Sequence, residues 1–215
     1  MLAALLALAL SAAPVDGPSI SEAPRFPSMY GGETLGVGGS EAAFSAGFST
    51  FSASYAQGLA DGVDYGAQLE IDWVTGELFA GGLYRSLLWR SGPVSVAARA
   101  RAGLYGDFGA TWGIATNRGD TGVQLAPGLA LSTRAPRGIF SLGGDVPITL
   151  TFARGGGYAV GLRGTVAFET PLYGDLLVGA RAGGGVLWSR SGAPFANDSP
   201  RATVDLSALL TYRLF

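Results

Sequence analysis

Glu70 and Asp72 stand one residue apart in the stretch Tyr65–Val74, and a strand would set their carboxylates on one face about 7 Å apart. Two carboxyl groups so placed could share acid–base work. The competing reading is electrostatic: they neutralise arginines that share their face, and the sequence favours this one. Among 215 residues there is no His and no Cys, which closes imidazole bases, thiolate nucleophiles and disulfides to this chain. The glycine runs Gly155-Gly156-Gly157 and Gly183-Gly184-Gly185 lack the Lys and the following helix of a phosphate loop, and read instead as turn and small-residue wall. No catalytic residue, no cofactor and no metal ligand is assigned.

The elements that hold these charges sort their residues by parity. In Tyr65–Val74 the residues Tyr65, Ala67, Leu69, Ile71 and Trp73 alternate with Gly66, Gln68, Glu70 and Asp72, and a strand turns successive side chains to opposite sides. In Val94–Tyr105, Arg99 and Arg101 share the parity opposite to Val94, Val96, Ala98 and Leu104. A helix would hold those two arginines about 200° apart, whereas a strand puts them together. Runs of the same kind recur over 123–132, 140–152, 158–169, 176–188 and 201–212, separated by turn-forming residues. The polar parity collects Glu70, Asp72, Arg99, Arg101, Asp145, Arg163, Glu169, Arg181 and Asp205, four guanidinium groups against five carboxylates.

Charged residues make up only 14% of the chain and apolar residues 48%, a composition too oily for an ordinary water-soluble surface, where about 25% is charged. After the N-terminus no stretch approaches the roughly 20 apolar residues of a membrane helix. A chain that meets lipid without such helices must close a barrel, since every backbone polar group needs a partner there. Arg facing lipid at the bilayer midplane costs about 2–4 kcal/mol, so the charged parity must be the lumen. The fold class is therefore all-β, a closed antiparallel up-and-down transmembrane β-barrel of about ten strands, with eight or twelve as alternatives. The net charge of −2 carries no basic footprint for nucleic acid.

Three regions follow. Residues 1–13 read as a signal peptide, an apolar run ending in small residues, with the cleavage site open; residues 14–32, with Pro14, Pro18, Pro24 and Pro27, read as an extended leader outside the wall, a plug being the lesser reading; residues 33–215 form the barrel. Within it, Thr34–Gly39 and Ala43–Gln57 are expected to be the first two strands, the second bulged near Thr50. Pro127 and Pro147 fall inside strands and are expected to sit at bulges. The inward glycines Gly128, Gly143, Gly161, Gly179, Gly183 and Gly185 should leave space in the lumen. Tyr65, Trp73, Trp89, Tyr158, Phe168, Trp188 and Tyr212 fall near strand ends, where aromatic girdles belong.

The alternating strands, the signal-like start and the closing TYRLF with Phe215 last resemble the small bacterial outer-membrane β-barrel proteins over roughly residues 33–215. Such proteins commonly end in an aromatic residue read by the barrel-assembly machinery, so the resemblance implies Phe215 as an assembly signal. Leu206, Ala208, Leu210 and Tyr212 are out of phase with it, and a slip near Arg213 would reconcile them. The resemblance also implies a bacterial outer-membrane location, outer-membrane lipid and the assembly machinery as partners, and no enzymatic activity, since the family's enzymes use a His that this chain lacks. Its oligomeric state is open. The function expected is that of a structural or surface-interaction barrel with a largely filled, charged lumen. A narrow pore for small solutes or ions is the second reading, and a secreted soluble barrel with an oily, ligand-binding interior the third.

Overall fold

The computed structural model describes residues 28–108, 120–152, 156–191 and 201–214. Its strands are β1 (Ser40–Gly47), β2 (Thr50–Ala60), β3 (Val63–Asp72), β4 (Glu77–Ser91), β5 (Val94–Asp107), β6 (Asp120–Ala135), β7 (Gly138–Asp145), β8 (Ile148–Thr151), β9 (Gly157–Tyr173), β10 (Leu176–Ser191) and β11 (Arg201–Arg213). Neighbours pair antiparallel, and β11 pairs with β1 to close the sheet. β7 and β8 lie end to end in a single position between β6 and β9, so the eleven segments make a closed barrel of ten strands. Among the described residues no helix is long and apolar enough to cross a membrane.

Chain direction alternates, so the connections at 61–62, 92–93, 136–137 and 174–175 share one end, the turn end. Those at 48–49, 73–76, 108–119, 152–156 and 192–200 share the other, the loop end. Short reversals need special backbone: Gly62, Gly76, Gly92 and Gly174 all have positive φ, a region open to glycine because it lacks Cβ. At the loop end, Asp72 shapes the reversal ahead of Gly76 by accepting bonds from the amides of Val74 and Thr75, at 3.0 and 2.9 Å.

Side-chain parity is the one read from the sequence. Phe44, Leu69, Leu104, Leu129, Leu142, Leu162 and Leu206 are exposed on the outer face, while Asp64, Ser95, Ser132, Asp145 and Arg181 are buried inside. Four local expectations are corrected. Ala43–Gln57 is a hairpin, not one bulged strand: the parity change near Thr50 comes from a reversal at Phe48-Ser49, and Ser45 and Ser52 meet across it with their hydroxyl oxygens 2.7 Å apart. Thr34–Gly39 is not a strand. The strand count survives because these two errors offset one another. The β1–β11 register runs on through Leu214, whose amide donates to the Ser40 carbonyl at 2.9 Å, so no slip occurs at Arg213.

The fourth correction concerns the prolines, neither of which sits at a bulge. Pro127 is in register with Ala100, and the β6 and β9 registers are the same on both sides of Pro147. Each proline keeps its acceptor: Val146 donates to the Pro127 carbonyl at 2.9 Å and Gly161 to the Pro147 carbonyl at 2.8 Å. Each lacks the reciprocal donor, which is why β7 stops at Asp145 and β8 begins at Ile148. The register shifts that do occur, at Gly58/Ala60, Leu87/Trp89 and Leu176/Leu177, all lie toward the turn end, and barrel rims are common sites for bulges.

Pro147→Ala therefore restores one N–H facing the Gly161 carbonyl. A ladder bond contributes about 1 kcal/mol, and losing proline's restraint on the unfolded chain costs about 0.4–1 kcal/mol. Net stability should change by less than about 1 kcal/mol, while hydrogen exchange shows a newly protected amide at position 147. An unprotected amide there would mean that something other than the missing donor divides the strand.

Candidate functional site

Inside the wall, the side chains of β3, β5, β7 and β9 converge on one network. Glu70 on β3 accepts from Arg101 Nη1 at 2.9 Å and from Arg163 Nη1 at 3.2 Å. Gln68 steadies it with a bond of 3.0 Å. Arg163 also pairs with Asp145, its Nε 3.3 Å from Oδ1, and Arg99 reaches Asp145 Oδ2 at 3.0 Å. Arg101–Glu70–Arg163–Asp145–Arg99 is thus one continuous chain of three guanidinium groups and two carboxylates. β3 and β9 lie on opposite sides of the closed sheet, so the Glu70–Arg163 pair crosses the lumen. Two of the arginines are accommodated by the wall: Arg101 lies 4.9 Å over the Phe79 ring, and Gly143 has no Cβ where one would come within 2.8 Å of Arg99 Nη2.

The remaining predicted residues sit elsewhere. Arg181 and Asp205 form a separate pair at 2.5 Å, with Ser207 donating to Asp205 at 2.7 Å. Asp72 caps the loop-end reversal, and Glu169 lies near the turn end, accepting from Thr211 at 2.8 Å. Glu70 and Asp72 therefore do not face each other as a free carboxylate pair. Phe215 lies outside the described residues. The inward glycines do not uniformly leave space: Arg99 fills the room at Gly143, and a Cβ at Gly179 or Gly185 would meet the neighbouring strand's backbone. The third reading required an oily interior, and the structure has the faces the other way round.

A second polar layer was not read from the sequence. Near the turn end Arg85 donates to Asp64 through Nε at 2.9 Å and Nη2 at 2.6 Å, both side chains being nearly inaccessible. Asp64 shares parity with Glu70, and Arg85 is where the apolar pattern of β4 blurs; extending the alternation one residue before Tyr65 would have found Asp64. Against this layer lies Ser28–Leu35, of which residues 28–32 are assigned by the sequence to a leader outside the wall. Instead it is folded into the lumen. Ser28 is fully buried and donates to Glu169, and its hydroxyl oxygen lies 3.2 Å from that of Ser141. Arg85 Nη1 donates to the Ser28 carbonyl. Gly32 N–H donates to Ser132 at 2.7 Å, Leu35 N–H to Asp64 at 3.0 Å, and Arg134 holds the Glu33 carboxylate with two bonds of 2.7 and 3.0 Å.

Tyr30 points from this segment to Arg181, whose guanidinium sits 5.1 Å over its ring. Above Tyr30 runs a cavity of about 200 Å³, bordered by the ion-pair network and by Thr50, Asp72 and Thr203 toward the loop end. A lumen lined in this way can bind water and small ions, and its charges are largely committed to one another. Compared with known proteins, the chain matches no family model and no curated protein.

Glu70→Ala would strand Arg101, largely out of water, and leave Arg163 with Asp145 alone. Breaking a buried pair typically costs about 3–5 kcal/mol, and the access of Arg163 to the cavity places the expected loss near about 3 kcal/mol. Asp72→Ala removes only turn bonds and should cost about 1 kcal/mol. Urea unfolding of the two variants checks this, and equal losses would show that the network does not hold the barrel.

Proposed function

We propose that the chain is a non-enzymatic integral β-barrel of a bacterial outer membrane, closed along its axis at rest and acting through its surface. The observation that carries this reading is the distribution of charge. Among the described side chains, the exposed charged residues are Asp61, Arg137 and Asp175, and all three sit in turns at one end. Elsewhere on the outer wall the large exposed side chains are predominantly apolar. Such a surface is costly in water at about 25 cal/mol per Å², and it suits a hydrocarbon medium in which a closed sheet leaves no backbone group unpaired.

Aromatic residues strengthen the reading. Tyr65, Trp89, Phe168 and Tyr212 are exposed toward the turn end, Tyr158 and Trp188 toward the loop end. Two such belts fit the two interfaces of a bilayer. Trp73 differs in detail, being half-buried and edge-on to Phe48 with ring centroids 6.2 Å apart. In this reading the outer-membrane lipid is the barrel's solvent and the barrel-assembly machinery its route in. The loop end carries the longer connections, at 108–119 and 192–200, and these serve as the contact surface.

Cell fractionation followed by electrophoresis with and without boiling tests the proposal. The protein should be found in the outer membrane and migrate differently when unboiled. Leu142→Arg is the sharper probe, because Leu142 is exposed and pairs with Val166 near the middle of β9. An outward Arg there costs about 2–4 kcal/mol in a bilayer, so the assembled fraction should fall. Full recovery of this variant as soluble protein, with wild type released by osmotic shock, would overturn the membrane reading.

A further inference from the structure

The segment Ser28–Leu35 closes the turn end of the barrel from within, and its attachment has the properties of a part that can leave. Its contacts are mainly hydrogen bonds and one ion pair, which water can replace. Most wall groups that hold it keep another partner without it. Arg85 retains Asp64, Glu169 retains Thr211, and Ser141 retains Ser132 at 3.3 Å. Arg134 loses Glu33, but its side chain is 28% exposed and can turn to solvent. Withdrawal therefore does not leave a row of stranded buried charges, the outcome that makes most buried ionic contacts permanent.

The segment is also jointed. Gly36 and Gly38 have φ of 78° and 77°, and this turn is tied to β2 by bonds from Gly38 to Gly58 at 3.1 Å and from Gly58 to Gly39 at 2.8 Å. The joint thus stays anchored while the residues before it pack through Gly31 and Gly32, where a Cβ would collide with Ser132 and with the Ser95 carbonyl. Above, the cavity is continuous: Met29 and Tyr30 border it below the ion-pair network, and Thr50 and Asp72 border it beyond. The network borders this space, and the segment is its floor.

We propose that Ser28–Leu35 is a releasable gate, whose withdrawal from the turn end turns the luminal cavity into a passage for small hydrated ions. This rests on the transmembrane reading above. Closed, the barrel is sealed by Ser28, Tyr30 and Glu33 against β4, β6, β7, β9 and β10; open, the wall pairs remain and the floor is gone.

The test uses the full chain in planar bilayers with potassium chloride as the probe. The protein has no Cys, so Ser28→Cys with Ser141→Cys creates a single candidate disulfide. The two hydroxyl oxygens are 3.2 Å apart, and small rotations bring sulfurs at those positions to the bond length of about 2.05 Å. The oxidised protein should be silent, and reduction should produce opening events. A second variant, Ser28→Ala with Glu33→Gln, leaves the wall untouched and should open at least about tenfold more often than wild type, the loss expected for a charge-assisted bond. A pair that does not oxidise, or oxidised and reduced proteins that are equally silent or equally conducting, overturns the gate. If this happens in protein that still inserts and still shifts on boiling, the transmembrane reading stands; if the protein does not enter bilayers at all, both fall.

Discussion

Closing the sheet on itself is the constraint from which the rest of the structure follows. When β11 pairs with β1, ladder partners are supplied all the way round, and each strand is left with one face inside and one outside. With one face committed to apolar contact, the charges have only the inside to occupy, and there they must find each other. Strands from opposite sides meet through side chains rather than backbone, as in the Glu70–Arg163 pair. The long reach of arginine is what makes this possible: a guanidinium can pair with two carboxylates at once, donating to both, as Arg163 does with Glu70 and Asp145.

Small residues and prolines are placed around that constraint. Gly143 admits the Arg99 guanidinium, so a missing side chain on one strand is matched by an extended one on another. Pro127 and Pro147 are tolerated in a sheet without edges because each gives up one donor only and keeps its carbonyl in the ladder. They occur close together, on adjacent strands, so the loss is confined to one patch of the wall. The bulges are kept toward the turn end, where the chain must also reverse and where the inner segment enters.

The lumen is filled in two ways with different physical character. The central network is part of the wall, its groups carried on strands whose position the ladder sets. The turn-end filling is a separate piece of chain held through its backbone, by Arg85, Asp64 and Ser132, and through two side chains, the Ser28 hydroxyl and the Glu33 carboxylate. Recognition of main-chain groups needs little from the segment's own sequence beyond glycines that let it lie close. That explains why a stretch with no periodicity can nevertheless have a defined place.

Alternation along single strands was legible in the sequence alone. A period of two is a local property of the chain, and it assigned Glu70, Arg99, Arg101, Asp145, Arg163, Arg181 and Asp205 to one face before any pairing was known. It also implied the closed barrel, since so apolar an outer face without long apolar runs leaves few other architectures. Which charge meets which was decided by the tertiary structure, because shear and register set the heights of opposite strands and no local pattern encodes them. The parity break near Thr50 shows the same limit: a bulge and a reversal alter alternation in the same way, and only the pairing of Ser45 with Ser52 tells them apart. The inward fold of Ser28–Leu35 lay furthest from view, since its hydrogen-bond partners are 29 to 141 residues away in the chain and exist as a site only once the barrel has closed.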